Sequence, residues 1–291
     1  MLFQQIINGL TLGMTYALIA VGYSLVFGIL RLVNFSHGSV YAFGANSILF
    51  LISMNIGIMP ALILGIFLTG ALGVIVDKTA LEPLRKQHAE SITSLITTIG
   101  VSSVITNLLT AQLGSQKRSF PSLFPAGSLN IGSISLTYTQ LGMLFISLAL
   151  LLGLLAIVNR TKIGLAMRAS EQNIRAAQIM GINVNGVISF TFFLGGMSAA
   201  IAGALVSSYY SMAYPNMGYT AGLKAFAAAV LGGIGSLPGS LVGGLLVGSV
   251  ESMAATLLGS EFRDSMAFII LIIVLVIRPH GLFGKKEIKK V

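Results

Sequence analysis

The stretch 224-KAFAAAVLGGIGSLPGSLVGGLLVGSVESM-253 holds two apolar runs split by GGIGSLPGS. Gly and Pro at that density stop a helix. The pattern predicts a short helix over 224–231, a break, and a second apolar helix. Ser236 is placed to cap that second helix, with Pro238 in its first turn. Inside a bilayer, interrupted backbone is tolerated only where protein or a watery cavity satisfies its polar groups. A helix that starts at mid-depth presents free N–H groups and the positive end of its dipole. Transporters use such ends along their pathways. The plainer reading is a Gly-rich face that lets helices touch.

The rest of the chain supplies the bilayer. Of 291 residues, 55% are hydrophobic and 9% charged, against about 25% charged in a soluble domain. No Asp, Glu, Lys or Arg occurs in 1–30, 32–76, 91–116, 119–159, 176–223 or 225–250. A membrane span needs about 20 apolar residues, so each stretch holds at least one. The fold class is all-α: a polytopic transmembrane bundle of about eight membrane segments, some broken or re-entrant. Spans are expected near 5–30, 37–55, 58–77, 91–113, 138–158, 186–211 and 262–279, with the broken segment 224–258 between the last two. A β-barrel does not fit, because the runs are continuous rather than alternating. The N-terminus lacks the basic region of a cleavable signal peptide. The whole of 1–291 reads as one transmembrane domain, since the longest polar loops are too short for a core of their own.

The net charge of +9 sits in loops and tail, where it orients the chain rather than binding nucleic acid. Lys78, Arg85 and Lys86 lie in one loop; Arg160, Lys162, Arg168 and Arg175 lie in 159–185; Arg278, Lys285, Lys286, Lys289 and Lys290 close the chain. These basic segments are expected inside, and 114–137, with only Lys117 and Arg118, outside. That places the N-terminus outside and the C-terminus in the cytoplasm. The parity closes if the segment 212–261 begins and ends outside.

A second polar opening, 31-RLVNFSHGSVYAFG-44, resembles SLPGSL in form: Ser, then Gly-Ser, then an apolar helix. Ser36 is the expected cap. Paired half-helix starts are what a transporter built from repeats contains. Asn34, Ser36, His37 and Ser39, with Ser236, Gly239 and Ser240, are therefore the candidate pathway residues. His37 has no carboxylate in 32–76 to complete a proton relay, which favours a hydrogen-bonded structural role. Glu251 is the one carboxylate in an apolar run, and Arg263 and Asp264 mark the outer edge of the last span.

The third polar stretch is 160-RTKIGLAMRASEQNIRAAQIMGINVN-185. Its periodicity predicts one amphipathic helix with Ile163, Met167, Ile174, Ala177 and Met180 on the apolar side. Arg168, Glu171 and Arg175 are spaced as ion-pair partners, and Gly181 ends the helix. A surface helix and a docking helix fit equally well.

These residues resemble a known family. TKIGLAMRASEQNIRAAQIMGINVN is similar to the cytoplasmic coupling loop of permease subunits of bacterial ABC importers, specifically the branched-chain amino acid permease family. NFSHGSVYAFGA, GLKAFAAAVLGGIGSLPGSLVGGLLVG and RPHGLFGK match the same family, in order and across essentially the whole chain. The resemblance implies a multi-pass protein of the bacterial inner membrane. It implies one half of a heterodimeric channel with a second permease subunit, two cytoplasmic ATPase subunits docked on 160–185, and an extracytoplasmic binding protein that delivers leucine, isoleucine or valine. ATP would be used by the partner subunits, with no cofactor or metal held by this chain. Coupling contacts would involve Arg168, Glu171, Arg175, Ala176, Ala177 and Gly181, where a small-residue pair before Gly lets a helix sit closely in a groove. A urea or short-chain amide permease stays open, since those importers resemble this family. A stand-alone ion- or proton-coupled transporter is disfavoured by the scarcity of intramembrane carboxylates. An enzyme is disfavoured because no phosphate loop, metal cluster or nucleophile–base set occurs.

Overall fold

The computed structural model describes residues 2–87, 89–131, 134–278 and 280–284; the four tail lysines lie outside the described residues. The chain runs through α1 (Leu2–Leu30), α2 (His37–Ser53), α3 (Ile58–Val76), a π-helical stretch (Asp77–Leu81), α4 (Glu82–Lys86) and α5 (Ser91–Leu113). Then come β1 (Arg118–Ser119), β2 (Ser128–Ile131), β3 (Ile134–Thr137), α6 (Tyr138–Arg160), α7 (Lys162–Gln172), α8 (Ile174–Ile179) and α9 (Val184–Tyr210). β4 (Met212–Ala213), α10 (Met217–Gly232), α11 (Leu237–Leu257), a 3-10 turn (Ser260–Phe262) and α12 (Arg263–Ile277) complete it. The expected spans fall on helices, and 6 helices among the described residues are long and apolar enough to cross a membrane. The shorter α2, α10 and α12 complete a polytopic helical bundle.

Local chemistry sets the helix ends. Thr137 and Gln140 form a capping box that opens α6. Gly114 and Gly181 end their helices at φ 79° and 83°, a region glycine enters without steric cost.

α1 is the central helix, 83% buried over its apolar window, whereas α5 is only 22% buried. Its packing on α11 rests on two Gly-x-x-x-Gly pairs, Gly9/Gly13 and Gly244/Gly248. A Cβ on Gly13 would lie 2.8 Å from the Gly244 carbonyl oxygen and from Leu245 Cα. With no hydrophobic drive between helices in lipid, such close backbone approach is the main source of attraction. α3, α5, α6 and α12 form the periphery and expose large apolar side chains such as Phe67, Ile96, Phe145 and Val276, as lipid contact requires.

The two ends of the bundle differ. At one end β1 pairs antiparallel with β4, and β2 with β3; Gln4 on α1 donates to the Ser135 carbonyl there at 2.8 Å. We call this the strand end. The other end carries α4, α7 and α8. The hairpin α10–α11 begins and ends toward the strand end.

Two expectations are corrected. The first helix of the hairpin starts at Met217, not 224, and runs 16 residues. The amphipathic helix expected over 163–180 is two helices. Asn173 leaves helical geometry (φ −160°, ψ 108°), and its side chain accepts from the Ala176 N–H at 3.0 Å, capping α8. Asn competes with helix backbone in this way.

Candidate translocation and coupling site

The break between α10 and α11 is built as its sequence directs. Ser236 Oγ accepts from the Gly239 N–H at 3.2 Å, and Pro238 lies in the first turn. Gly232, Gly239 and Gly243 let the hairpin close: a Cβ on Gly243 would meet the Ala228 carbonyl and lie 2.9 Å from Gly232 N. The break is therefore real, and it is also a packing face. Ser240 is buried and shares a 2.5 Å hydrogen bond with Ser24 of α1, whose Oγ also accepts from the Gly235 N–H. α11 is 21 residues long, about 31 Å at 1.5 Å per residue. The break thus sits a full span from the strand end, close to α7, rather than at mid-depth.

Two groups that the sequence did not point to complete the break. The Leu282 and Phe283 N–H groups donate to the Leu231 and Gly232 carbonyls at 2.9 Å each, so the chain after α12 folds back and satisfies the open end of α10. Beside it, a small cleft is lined by Ser24, Gly28, Arg168, Glu171, Gly235 and Leu237. A Cβ on Gly28 would lie 3.7 Å from the Glu171 carboxyl carbon. Helix α7 is thereby seated directly on α1 and on the break.

The opening of α2 is a compact polar knot. Ser36 takes the cap position without capping: its hydroxyl donates to Asn34 Oδ1 at 2.6 Å, and its N–H donates to the same oxygen at 3.1 Å. Asn34 supplies the acceptor expected of Ser36. Ser39 meets Ser102 Oγ at 2.5 Å and Thr106 Oγ1 at 3.2 Å on α5. His37 is buried, stacks edge-on against Tyr23 at 4.8 Å and bonds to the backbone of Ile19. Its Nε2 has no partner and occupies the space over Gly22. Gly22 lies eight residues before the end of α1, about 12 Å along the axis. The chain after Leu30 therefore turns back into the bundle before α2 starts. The two candidate groups both dock on α1, one around Ile19–Tyr23 and the other on Ser24. α1 is the element that brings them together.

In the polar loop, Arg168 donates from Nη2 to the Asn159 carbonyl at 3.4 Å. Arg175 and Ala176 are exposed, Ala177 is buried within the chain, and Gly181 turns the backbone. Of the expected apolar side, Met167 and Ala177 are buried, while Ile163, Ile174 and Met180 are exposed. The most exposed large hydrophobic residues are Ile179 and Met180, at 84% and 81%, at the end of α8. Behind it, Asp77 is fully buried; it pairs with Arg85 at 2.6 Å and accepts from Ser189 Oγ of α9 at 2.7 Å.

At the strand end, Glu251 is buried, 1% exposed. Its Oε1 accepts from Lys224 Nζ at 2.8 Å, Arg263 Nε at 2.7 Å and Tyr16 OH at 3.2 Å. Lys224 also reaches Asp264 at 2.6 Å.

Residues 5–276 match the family model described as the branched-chain amino acid transport system permease component. The chain belongs to this family. It is 37% identical over 301 residues to the high-affinity branched-chain amino acid transport system permease protein BraD of Pseudomonas aeruginosa, covering 99% of this chain and 97% of that one. It is 37% identical over 302 residues to LivH of Escherichia coli K12, with the same coverage. In three dimensions this permease resembles PsaBC from Streptococcus pneumoniae in complex with Fab, with a TM-score of 0.52 and 12% identity over 95% of this chain and 92% of that one, which is a likeness of fold. The expected permease role, multi-pass membrane character and helical fold therefore stand.

Proposed function

We propose that this permease forms one half of the membrane channel of an ATP-driven importer for leucine, isoleucine or valine. A second permease subunit completes the channel. Two ATPase subunits dock on α7–α8, and a solute-binding protein delivers the amino acid at the strand end. The α7 end faces the cytoplasm, with the N-terminus outside and the C-terminus inside. ATP binds and is hydrolysed on the partner subunits.

The observation that carries this reading is the apolar tip Ile179–Met180 on a polar loop whose adjacent helix α7 is seated on the break. A partner that covers the tip and moves it displaces α7. Glu171 and Arg168 then shift against Gly28 and Gly235, and the Ser24–Ser240 contact holds α11 to α1 during the movement. The polar knot Asn34–Ser39 lines the same central helix. Leucine at either of the two Ser positions, Ser36 or Ser240, is expected to stop uptake.

The test is purification of the tagged chain in mild detergent with mass spectrometry of its companions. Two ATPase subunits and a second permease are expected. Recovery of the chain alone, in a form that still transports solute without ATP, overturns the proposal.

A further inference from the structure

We propose that the strand-end cavity is a binding site for an aliphatic α-amino acid in its zwitterionic form; this rests on the importer reading above and names where the solute is held. The cavity has a volume of about 260 Å³ and lies among α1, α2, α9, α10, α11 and α12. A water's share of liquid volume is about 30 Å³, so this is room for one small solute.

Its polar wall is made by Lys224, Glu251, Arg263 and Asp264. Two cations and two anions sum to zero. A solute with one charge of each sign preserves that balance, whereas a singly charged one leaves a desolvated charge uncompensated. The vacancy for the ammonium is specific. Glu251 Oε1 takes three donors, but Oε2 is buried without a hydrogen-bond partner. A buried carboxylate oxygen without a donor is rare in folded proteins, and a rotation of the carboxylate that brings Oε2 to the cavity lets an α-ammonium supply the missing one. The carboxylate belongs beside Arg263, which grips Glu251 through Nε, while its side chain stays 30% exposed; a planar guanidinium suits a carboxylate. Asp264, 59% exposed, stands at the mouth. Leu12, Val206 and Met217 also line the cavity and offer an apolar wall to an aliphatic side chain. Urea or a short amide carries no charge and makes no use of this arrangement.

The test uses the full importer, with radiolabelled leucine binding measured in lipid nanodiscs without binding protein and ATP-driven leucine uptake measured in sealed proteoliposomes. Valine should displace leucine; 4-methylpentanoate, 3-methylbutylamine and urea should not. Thr220→Trp, which fills the cavity from its lining without removing an ion-pair partner, should weaken binding by about tenfold or more. Glu251→Gln should weaken leucine similarly and let 4-methylpentanoate compete, a change in selectivity that a purely structural carboxylate would not produce. Uptake without saturable binding, or wild-type binding in Thr220→Trp, overturns the site and leaves the importer standing. Neither uptake nor binding overturns both.

Discussion

Replacing Ile179 and Met180 together by Ala tests whether the α8 tip is the surface on which the ATPases act. The two side chains are 84% and 81% exposed, so covering them removes nearly their full apolar area from water. Burying a side chain of this size is worth about 1.5–3 kcal/mol. An Ala retains part of that, and interface residues share it unevenly. A loss of about 3 kcal/mol for the pair is a reasonable central value. At 1.4 kcal/mol per factor of ten, the ATPases should bind the double variant about a hundredfold more weakly. The chain itself should not suffer, because neither residue contributes to its core. The assay is titration of ATPase subunits onto the permease pair in nanodiscs, with thermal unfolding of the permease as the control. An unchanged dissociation constant at unchanged stability would refute the argument that this tip carries the docking energy.

Three further outcomes follow from the packing and charge. Gly13→Ala places a methyl 2.8 Å from backbone atoms of α11 and should cost about 1–3 kcal/mol, read as a lower unfolding temperature. Gly100→Ala, with nothing within 4 Å, should be neutral or stabilising by up to about 1 kcal/mol; equal effects of the two would contradict the α1–α11 contact. Asp77→Asn removes the charge that partners Arg85 and should destabilise by about 3 kcal/mol, with Asp77→Asn/Arg85→Gln recovering part of that loss in a double-mutant cycle.

The sequence was most informative where single residues act locally. Ser236 and Pro238 announced the start of α11, Gly181 the end of α8, and the charge-free runs the bundle. It was less informative where a partner overrides local preference. Gly218 and Gly222 argue against helix by propensity, yet they belong to α10, because a Cβ on Gly218 would strike Gly38 of α2 and one on Gly222 would lie 2.9 Å from Gly38 Cα. Helix closure there requires glycine on both sides. Asn173 was hidden inside an amphipathic pattern that continues across it; its signal was the Asx acceptor three residues before Ala176. Lys224 and Glu251 stand 27 residues apart and meet only because the hairpin folds. The tail's return onto Leu231 and Gly232 uses backbone hydrogen bonds, and its local mark is Gly281, where a Cβ would lie 2.5 Å from Gly233 N. The candidate residues Asn34, Ser36, His37, Ser39, Ser236, Gly239 and Ser240 were legible as helix starts. Their docking on α1 through Ser24 and Gly22 was not, since α1 reads as an uninterrupted apolar run.

We propose above that this chain is the channel half of an ATP-driven importer. Its most direct test is leucine uptake into proteoliposomes that contain the purified complex, with ATP supplied on the side of α7–α8. Accumulation should require ATP and stop when the ATPase subunits are inactivated, with no uptake of urea. Leucine flux through the chain without ATPase subunits, or urea accumulation in place of leucine, would contradict it.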